Sequence, residues 1–319
     1  MTDGSSQGLF VIVAVVIFGI FVLISYILFR DNLKPSLAKI YCDSFTQVSE
    51  NTGLGNGLCS VDVENPDENS IFKFDSNTGT ILGFKENYTH TSNKLIIPDK
   101  INGVNVKIIG DRAFVGLKIT DLEISDSVEE IGLASFASNN IKNLKLGNNL
   151  KKIGSSSFTS NKYLTELKIP DSVEIIDNFA FGNSAITNVR LGQGLKIINM
   201  GAFQNTKLTN VEIPNNVELI GTSAFLNTPI ENLKLGQGLK EIQEGAFWSA
   251  KLKSLEIPDS VKIIGKNSFY KSNLESIILS KNIEVIGDSA FTSAKLTEKL
   301  SKSDYPNLTT IGINNPIFK

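Results

Sequence analysis

The chain has 319 residues, with 31 Lys and Arg residues against 33 Asp and Glu residues, which gives a formal net charge of −2. This balance gives no support for nucleic-acid binding, which depends on a basic surface. His90 is the only histidine, so a Ser-His-Asp triad or a metal site with several histidine ligands is nearly excluded. The polar stretch 87–93 predicts that His90 is a solvated turn residue.

Residues 1–8 form a polar tail, and residues 9–29 form an uncharged, strongly apolar run. As a helix this run would be about 31 Å long, which matches a bilayer core of roughly 30 Å. We therefore predict a single transmembrane helix at residues 9–29 that anchors the chain in a lipid bilayer. A cleaved signal peptide is disfavoured, because no basic residue precedes the run and bulky residues end it.

The basic residues near the apolar run lie on one side of it. Arg30, Lys34 and Lys39 follow the run, and no Lys or Arg precedes it. By the positive-inside rule, this asymmetry places the C-terminal part of the chain in the cytoplasm.

Residues 30–70 are predicted to form a juxtamembrane stalk. Apolar residues at helical spacing after Pro35 indicate a short amphipathic helix. The two cysteines of the chain, Cys42 and Cys59, lie in this segment. They could form one disulfide outside the membrane, whereas in the cytosol they would be free thiols.

Residues 71–92 are predicted to form an N-terminal capping hairpin. Residues 71–84 alternate in polarity around a turn at residues 76–79, and a terminal unit of a repeat array must be capped to stay soluble.

A motif of about 22 residues recurs through residues 93–295, and its clearest mark is a phenylalanine. Seven of the eight gaps between these phenylalanines are 22 residues, and the remaining gap is 23 because Tyr163 is an extra residue. Such a period predicts stacked supersecondary units, here a β-rich repeat solenoid of about nine 22-residue units. Residues 296–319 are a degenerate repeat or a C-terminal cap. The phenylalanines are Phe114, Phe136, Phe158, Phe181, Phe203, Phe225, Phe247, Phe269 and Phe291.

One unit shows how the motif folds. Val211 and Ile213 are two residues apart and point to the same side of a short strand, which Pro214 ends. The pair Ala224 and Phe225 then fills the interior. In alternate units Gly replaces this Pro, which gives a super-period of about 44 residues. We interpret Pro and Gly here as turn formers, since Pro presets φ and Gly allows a positive φ.

These residues resemble the BspA-type leucine-rich repeat of bacteria. Residues 169–173 and 257–261 both have the sequence Ile-Pro-Asp-Ser-Val, and an Ile-Gly pair follows the second of them at residues 264–265. The resemblance covers about residues 71–295. It implies a leucine-rich-repeat array on a bacterial surface, in adhesion or host contact, and it carries over no catalytic residue. On these grounds we expect the repeats to lie outside the cell, in conflict with the charge rule.

Stacking places equivalent positions of successive units side by side, about 4.8 Å apart if the strands pair. The residues after the Val or Leu of the turn largely alternate between negative and positive charge from one unit to the next. We therefore expect structural ion pairs that fix the register between units. These residues are Glu129, Lys151, Glu174, Lys196, Glu218, Lys240, Lys262 and Glu284.

The outward residues of the first strands include a basic run flanked by amides. We interpret this strip as a candidate site for an anionic glycan, a wall polymer or an acidic protein segment. The competing interpretation is a soluble sheet face of mixed charge. The candidate ligand-binding residues are Lys145, Lys168, Arg190, Asn188, Asn210 and Lys234.

Together these features predict a membrane-anchored bacterial cell-surface protein whose solenoid is a non-catalytic binding or adhesion module. The alternative is a structural or scaffold subunit of a cell-envelope assembly, either pilin-like or on the cytoplasmic face. We expect a protein or an anionic glycan or cell-wall partner, no nucleic acid, no metal, no cofactor and no enzymatic activity. An exposed Trp248 could be a binding anchor, although we favour packing over the neighbouring unit.

Overall fold

The computed structural model describes residues 71–319. The predicted tail, transmembrane helix and stalk, and the pair Cys42 and Cys59, lie outside the described residues. Residues 71–319 contain no helix with the length and hydrophobicity of a transmembrane span.

The described part begins with an antiparallel hairpin of strands β1 (Phe72–Asp75) and β2 (Thr80–Phe84). The Asp75 carboxylate accepts hydrogen bonds from the backbone N–H of Asn77 at 3.0 Å and the hydroxyl of Thr78 at 2.9 Å, which close the turn. The strands β3 (Lys94–Ile97), β4 (Lys100–Ile101), β5 (Val104–Asn105) and β6 (Ile108–Ile109) follow. The β2 strand pairs with β6 in parallel, so the hairpin joins the sheet of the repeats.

His90 lies beside this hairpin, and the expectation that it is a solvated turn residue is wrong. Its ring stacks on Phe84 with a centroid distance of 4.9 Å and lies 6.3 Å from the ring of Tyr88. Both ring nitrogens are buried without a hydrogen-bond partner. Burial therefore lowers the pKa of His90, and the nearby backbone of Ser92 opposes this shift.

Each of the following units contributes two short strands. The first strands are β7 (Asp121–Ile124), β9 (Asn143–Lys145), β11 (Glu166–Lys168), β13 (Asn188–Arg190), β15 (Asn210–Glu212), β17 (Asn232–Lys234), β19 (Ser254–Glu256) and β21 (Ser276–Ile278). The second strands are β8 (Glu130–Ile131), β10 (Lys152–Ile153), β12 (Ile175–Ile176), β14 (Ile197–Ile198), β16 (Leu219–Ile220), β18 (Glu241–Ile242), β20 (Ile263–Ile264) and β22 (Val285–Ile286).

The second strands form one continuous sheet of 12 strands, which begins with the hairpin and ends with β23 (Thr310–Ile311). Within this sheet, all pairings after the hairpin are parallel, and each strand pairs with the equivalent strand of the next unit. The short strands β4 and β5 pair separately and are antiparallel. The array is thus a parallel β-solenoid with a leucine-rich-repeat period, as the sequence predicts.

The first strands, by contrast, form separate small sheets. Strands β3, β7 and β9 form one sheet, and β11 pairs only with β13, β15 with β17, and β19 with β21. A unit with Pro after its first strand is called a Pro-form unit, and a unit with Gly there is called a Gly-form unit. Each of the three pairs joins a Pro-form unit to the unit that follows it. Backbone and side-chain bonds extend each pair: the N–H of Ile213 donates to the Lys234 carbonyl at 2.8 Å, and Asn215 accepts from the N–H of Gln237 at 3.0 Å.

Close approach, rather than a positive φ, explains the glycine of the alternate units. A Cβ added at one of these glycines would overlap the carbonyl group of a residue that follows the first strand of the preceding unit. This residue is Ser125 for Gly147, Pro170 for Gly192 and Pro214 for Gly236. None of these three glycines has a positive φ. Each of these glycines does begin a turn, since its carbonyl accepts a hydrogen bond from the N–H three residues later, but the positive φ expected from the sequence is wrong. The structural repeat is a pair of units of about 44 residues.

The core is built around a single column of phenylalanine rings. From Phe114 to Phe291, successive rings lie 5.2–5.5 Å apart and are nearly parallel, with interplanar angles of 3–17°. All nine rings are fully buried. The extra residue Tyr163 lies in an exposed loop, and the rings of Phe158 and Phe181 on either side of it remain 5.3 Å apart.

The C-terminal residues cover the last phenylalanine. Asn315 accepts a hydrogen bond from the N–H of Phe291 at 3.0 Å and donates to the carbonyl of Gly287 at 3.0 Å. Leu308 and Ile317 are buried against the end of the array.

Candidate functional site

The outward side chains of the first strands form a candidate binding surface. Inward residues such as Leu167 and Val211 are buried in the core, whereas their neighbours on the strand point to solvent. We call the outward side chains of β7, β9, β11, β13, β15, β17, β19 and β21 the first-strand face. All the predicted site residues, Lys145, Lys168, Arg190, Asn188, Asn210 and Lys234, lie on this face.

Two of the predicted cations are neutralised by glutamates of the preceding unit. Lys145 forms an ion pair with Glu123, and the hydrogen bond to this carboxylate raises the pKa of Lys145. Lys234 forms an ion pair with Glu212 at 2.5 Å. Of the predicted basic run of Lys145, Lys168 and Arg190, Lys145 is therefore neutralised within the protein, as is the separate candidate Lys234.

Lys168 and Arg190 differ from these two lysines. They are register partners on the adjacent strands β11 and β13, roughly 4.8 Å apart in the pairing direction. Within residues 71–319, neither side chain has an ion pair or hydrogen bond. We call these two residues the central cation pair.

The amides beside the central cation pair are engaged with each other or with a carboxylate. Asn188 donates to Glu166 at 2.7 Å. Asn210 accepts from Asn232 at 2.7 Å and donates to the hydroxyl of Thr209 at 3.0 Å. These amides therefore form hydrogen bonds within the protein and surround the two cations with polar groups that already have partners.

A shallow depression lies at the N-terminal end of the first-strand face. Its volume is about 360 Å³, and its floor contains Leu122 and Leu144. Of the predicted site residues it includes only Lys145. At its edge, hydrogen bonds from Asn143 and Thr120 lower the pKa of Asp121, which keeps this carboxylate ionised. Its charged rim is largely paired within the protein.

The second charge ladder is structural, as predicted. Glu129 and Lys151 lie 3.7 Å apart, whereas the other three pairs have N–O distances of 2.5–2.8 Å. The hydrogen bond from Lys196 lowers the pKa of Glu174 and raises that of Lys196. The remaining two pairs are Glu218 with Lys240 and Lys262 with Glu284.

Trp248 packs over the neighbouring unit, as the favoured interpretation predicts. Its ring lies 4.7 Å from that of Tyr270, the equivalent residue of the next unit. Among residues 71–319, no group of three or more His, Cys, Asp or Glu side chains could hold a metal ion.

A parallel solenoid with a single internal phenylalanine column and a charged outer strand face is a leucine-rich-repeat scaffold, a fold that typically serves binding rather than catalysis. Residues 85–207 and 196–318 match the family described as "BspA type Leucine rich repeat region (6 copies)". The chain therefore belongs to the BspA-type leucine-rich-repeat family.

Several solved structures are similar to this chain. A leucine-rich repeat protein from Bacteroides ovatus has 25% identity and a TM-score of 0.52, covering 70% of this chain. The match covers 55% of that protein, so this chain spans about half the length of that relative. A leucine-rich repeat protein from Bacteroides capillosus has 34% identity and a TM-score of 0.31, over 35% of this chain and 85% of that one.

A leucine rich cell surface protein from Faecalibacterium prausnitzii has 21% identity and a TM-score of 0.43, over 76% of this chain and 93% of that chain. No protein with a curated description matches the sequence significantly.

Proposed function

We propose that the chain is a membrane-anchored bacterial cell-surface protein whose first-strand face binds a macromolecular partner without catalysis. The central cation pair carries this proposal. Like charges directly opposite each other on adjacent strands are destabilising, and Lys168 and Arg190 are held in register in this way. A partner that supplies negative charge would offset this cost, and this supports a binding role for both cations.

The location at the cell surface has two supports. The apolar run at residues 9–29 is long enough to serve as a single-pass anchor. The resemblance to BspA-type repeats favours an array outside the cell, where Cys42 and Cys59 could form a disulfide.

Protease shaving of intact cells tests the location. With an antibody against the repeats, we expect the repeat signal to be lost while a cytosolic control protein survives. Protection that ends only on lysis, in cells whose wall admits the protease, would instead place the array on the cytoplasmic face. The protein would then be a scaffold subunit with free thiols, and the proposal would be wrong.

Selection from a random displayed peptide library tests the binding face. The target is the full-length chain in neutral detergent, and selected peptides are then tested against two variants. Asn210→Tyr places a bulky uncharged ring in the middle of the first-strand face and should reduce binding of the selected peptides. Asn87→Tyr makes the same change at an exposed position near the N-terminal hairpin and should leave binding unchanged. Equal binding to both variants would show that the first-strand face is not the binding surface.

A further inference from the structure

The nature of the partner can be taken one step further, on the basis of the proposed function. We infer that the central cation pair binds an acidic segment of a partner protein, through one or two Asp or Glu carboxylates. The alternative is a linear polyanion, such as an anionic wall polymer or a sulfated glycan.

The geometry of the central cation pair suits a small number of carboxylates. The guanidinium of Arg190 offers a planar fork that binds a carboxylate with two parallel hydrogen bonds. Lys168 lies in register beside it, so its ammonium group can reach the same carboxylate or the next one along an extended segment. Both side chains are exposed and have no internal competitor among the residues that the structure describes.

A linear polyanion would find little further attraction beside this spot, because Lys145 on one side is already paired with Glu123 and Glu212 on the other side is a carboxylate. Within β7 to β21, the outward strand positions carry four cations against five carboxylates, so the first-strand face is not basic as a whole. We call the outward positions equivalent to Lys168 on successive first strands, from Ile96 to Ile278, the outer column. Glu212 follows Arg190 in this column, and Glu166 lies beside the pair. A polymer charged at every step would therefore gain two attractions and then encounter carboxylates. The four cations are Lys145, Lys168, Arg190 and Lys234, and the carboxylates are Asp121, Glu123, Glu166, Glu212 and Glu256.

The ends of the same column also suit a protein better than a polyanion. Ile96 and Ile278 occupy the outward position at the two ends, and their exposed fractions are 44% and 65%. An exposed isoleucine offers apolar contact, which a protein segment can use through its own apolar side chains and a highly charged polymer cannot. The column thus combines a compact positive centre with apolar ends.

The peptides selected against the full-length chain provide the test. We expect them to be enriched in Asp and Glu, and we expect their affinity for the Lys168→Glu, Arg190→Glu double variant to fall by more than about tenfold. The matched control is Lys207→Glu with Lys251→Glu, which makes the same charge change at two exposed loop lysines. It should change the affinity by less than about threefold, since distant exposed charges are screened by salt. Inorganic polyphosphate is the polyanion probe, and we expect it to bind more weakly than the acidic peptides.

The outcomes separate this inference from the function on which it rests. Peptides that are blocked by Asn210→Tyr, but are not acidic or do not respond to the Lys168→Glu, Arg190→Glu variant, would overturn the inference and leave the binding face intact. Tighter binding of polyphosphate than of any selected peptide, lost in the same double variant, would also overturn it in favour of a polyanion. Peptides whose binding is unchanged by Asn210→Tyr as well would overturn both the inference and the proposed binding face. A thermal midpoint of the double variant that stays well above the temperature of the binding assay checks that any loss of binding is not caused by unfolding.

Discussion

At the scale of single residues, the same side-chain type has two different roles on one strand face. Lys145 and Lys234 each follow a glutamate in the column and are neutralised by it. Lys168 instead faces Arg190. Exposed ion pairs contribute only about 0.2–1 kcal/mol each, so the first two lysines mainly fix register. The central cation pair has no such structural explanation, and its charge is available to a partner.

This difference predicts opposite effects of one substitution at two equivalent positions. Lys168→Glu replaces a like-charge pair with an opposite-charge pair, and should raise the stability of the folded array by about 0.2–1 kcal/mol. Lys234→Glu, the matched control, creates a like-charge pair with Glu212 and should lower stability by a similar amount. The measurement is the thermal midpoint of each full-length variant at low and high salt, where the two midpoints should converge. A lower midpoint for Lys168→Glu would show that Lys168 has a structural role.

Much of the fold and of the charge pairing could be predicted from residue spacing, and the predictions that failed did so for physical reasons. The phenylalanine column and the second charge ladder follow from a fixed period, because stacking brings equivalent residues together. The pairing of Lys145 with Glu123 was also readable, since the two residues are 22 positions apart. The expectation for His90 fails because its polar neighbours in sequence do not indicate its contact with Phe84, whose ring it covers once the hairpin has folded.

At the scale of elements, the first strands pair in twos although the second strands form one sheet. The Pro-form strand donates a backbone hydrogen bond from the residue before Pro, as Ile169 does to the Arg190 carbonyl at 2.9 Å. The next unit can approach because it has Gly where a Cβ would overlap the carbonyl group of Pro170. The sequence shows the alternation but not this contact, because the close approach depends on how the backbones stack.

The N-terminal hairpin should lose stability in mild acid. The pKa of His90 is lowered in the folded hairpin, because both ring nitrogens are buried without a partner. The unfolded hairpin therefore binds the proton more tightly, and the free energy of hairpin opening should decrease as the pH falls below about 6.5 and stay at its maximum above that value.

Amide hydrogen exchange can measure this local opening. Protection factors of the β2 amides, corrected for the intrinsic pH dependence of exchange, should fall in the wild-type chain between neutral and mildly acidic pH. His90→Phe keeps an aromatic ring on Phe84 but cannot be protonated, so its protection factors should not change. An equal loss of protection in His90→Phe would assign the effect to another group.

At the scale of the whole molecule, repeat units should be tolerated as additions or deletions only in pairs, one Pro-form unit with one Gly-form unit. Deletion of residues 208–251 removes one Pro-form and one Gly-form unit, and the remaining units keep their alternating order. Deletion of residues 230–251 removes fewer residues, but it places one Pro-form unit directly after another. Pro258 would then occupy the position that requires Gly236, and the N–H of Ile213 would lose its acceptor on Lys234.

We expect the longer deletion to be better tolerated than the shorter one. The array without residues 208–251 should unfold near the wild-type midpoint. The array without residues 230–251 should be less stable by at least about 2 kcal/mol, because an unsatisfied buried group alone costs about 1–3 kcal/mol. Far-ultraviolet circular dichroism during heating of the two full-length variants measures this difference. A shorter deletion that is the more stable of the two would refute pairwise stacking.

The contact between Trp248 and Tyr270 has a further consequence, for optical spectroscopy. Trp248 is the only tryptophan of the chain, and its ring lies against the next unit near the C-terminal end of the array. In a solenoid each unit contacts only its neighbours, so distant units can open separately. Tryptophan fluorescence therefore reports on the junction between these two units. An unfolding curve recorded by this fluorescence describes that junction rather than the fold as a whole.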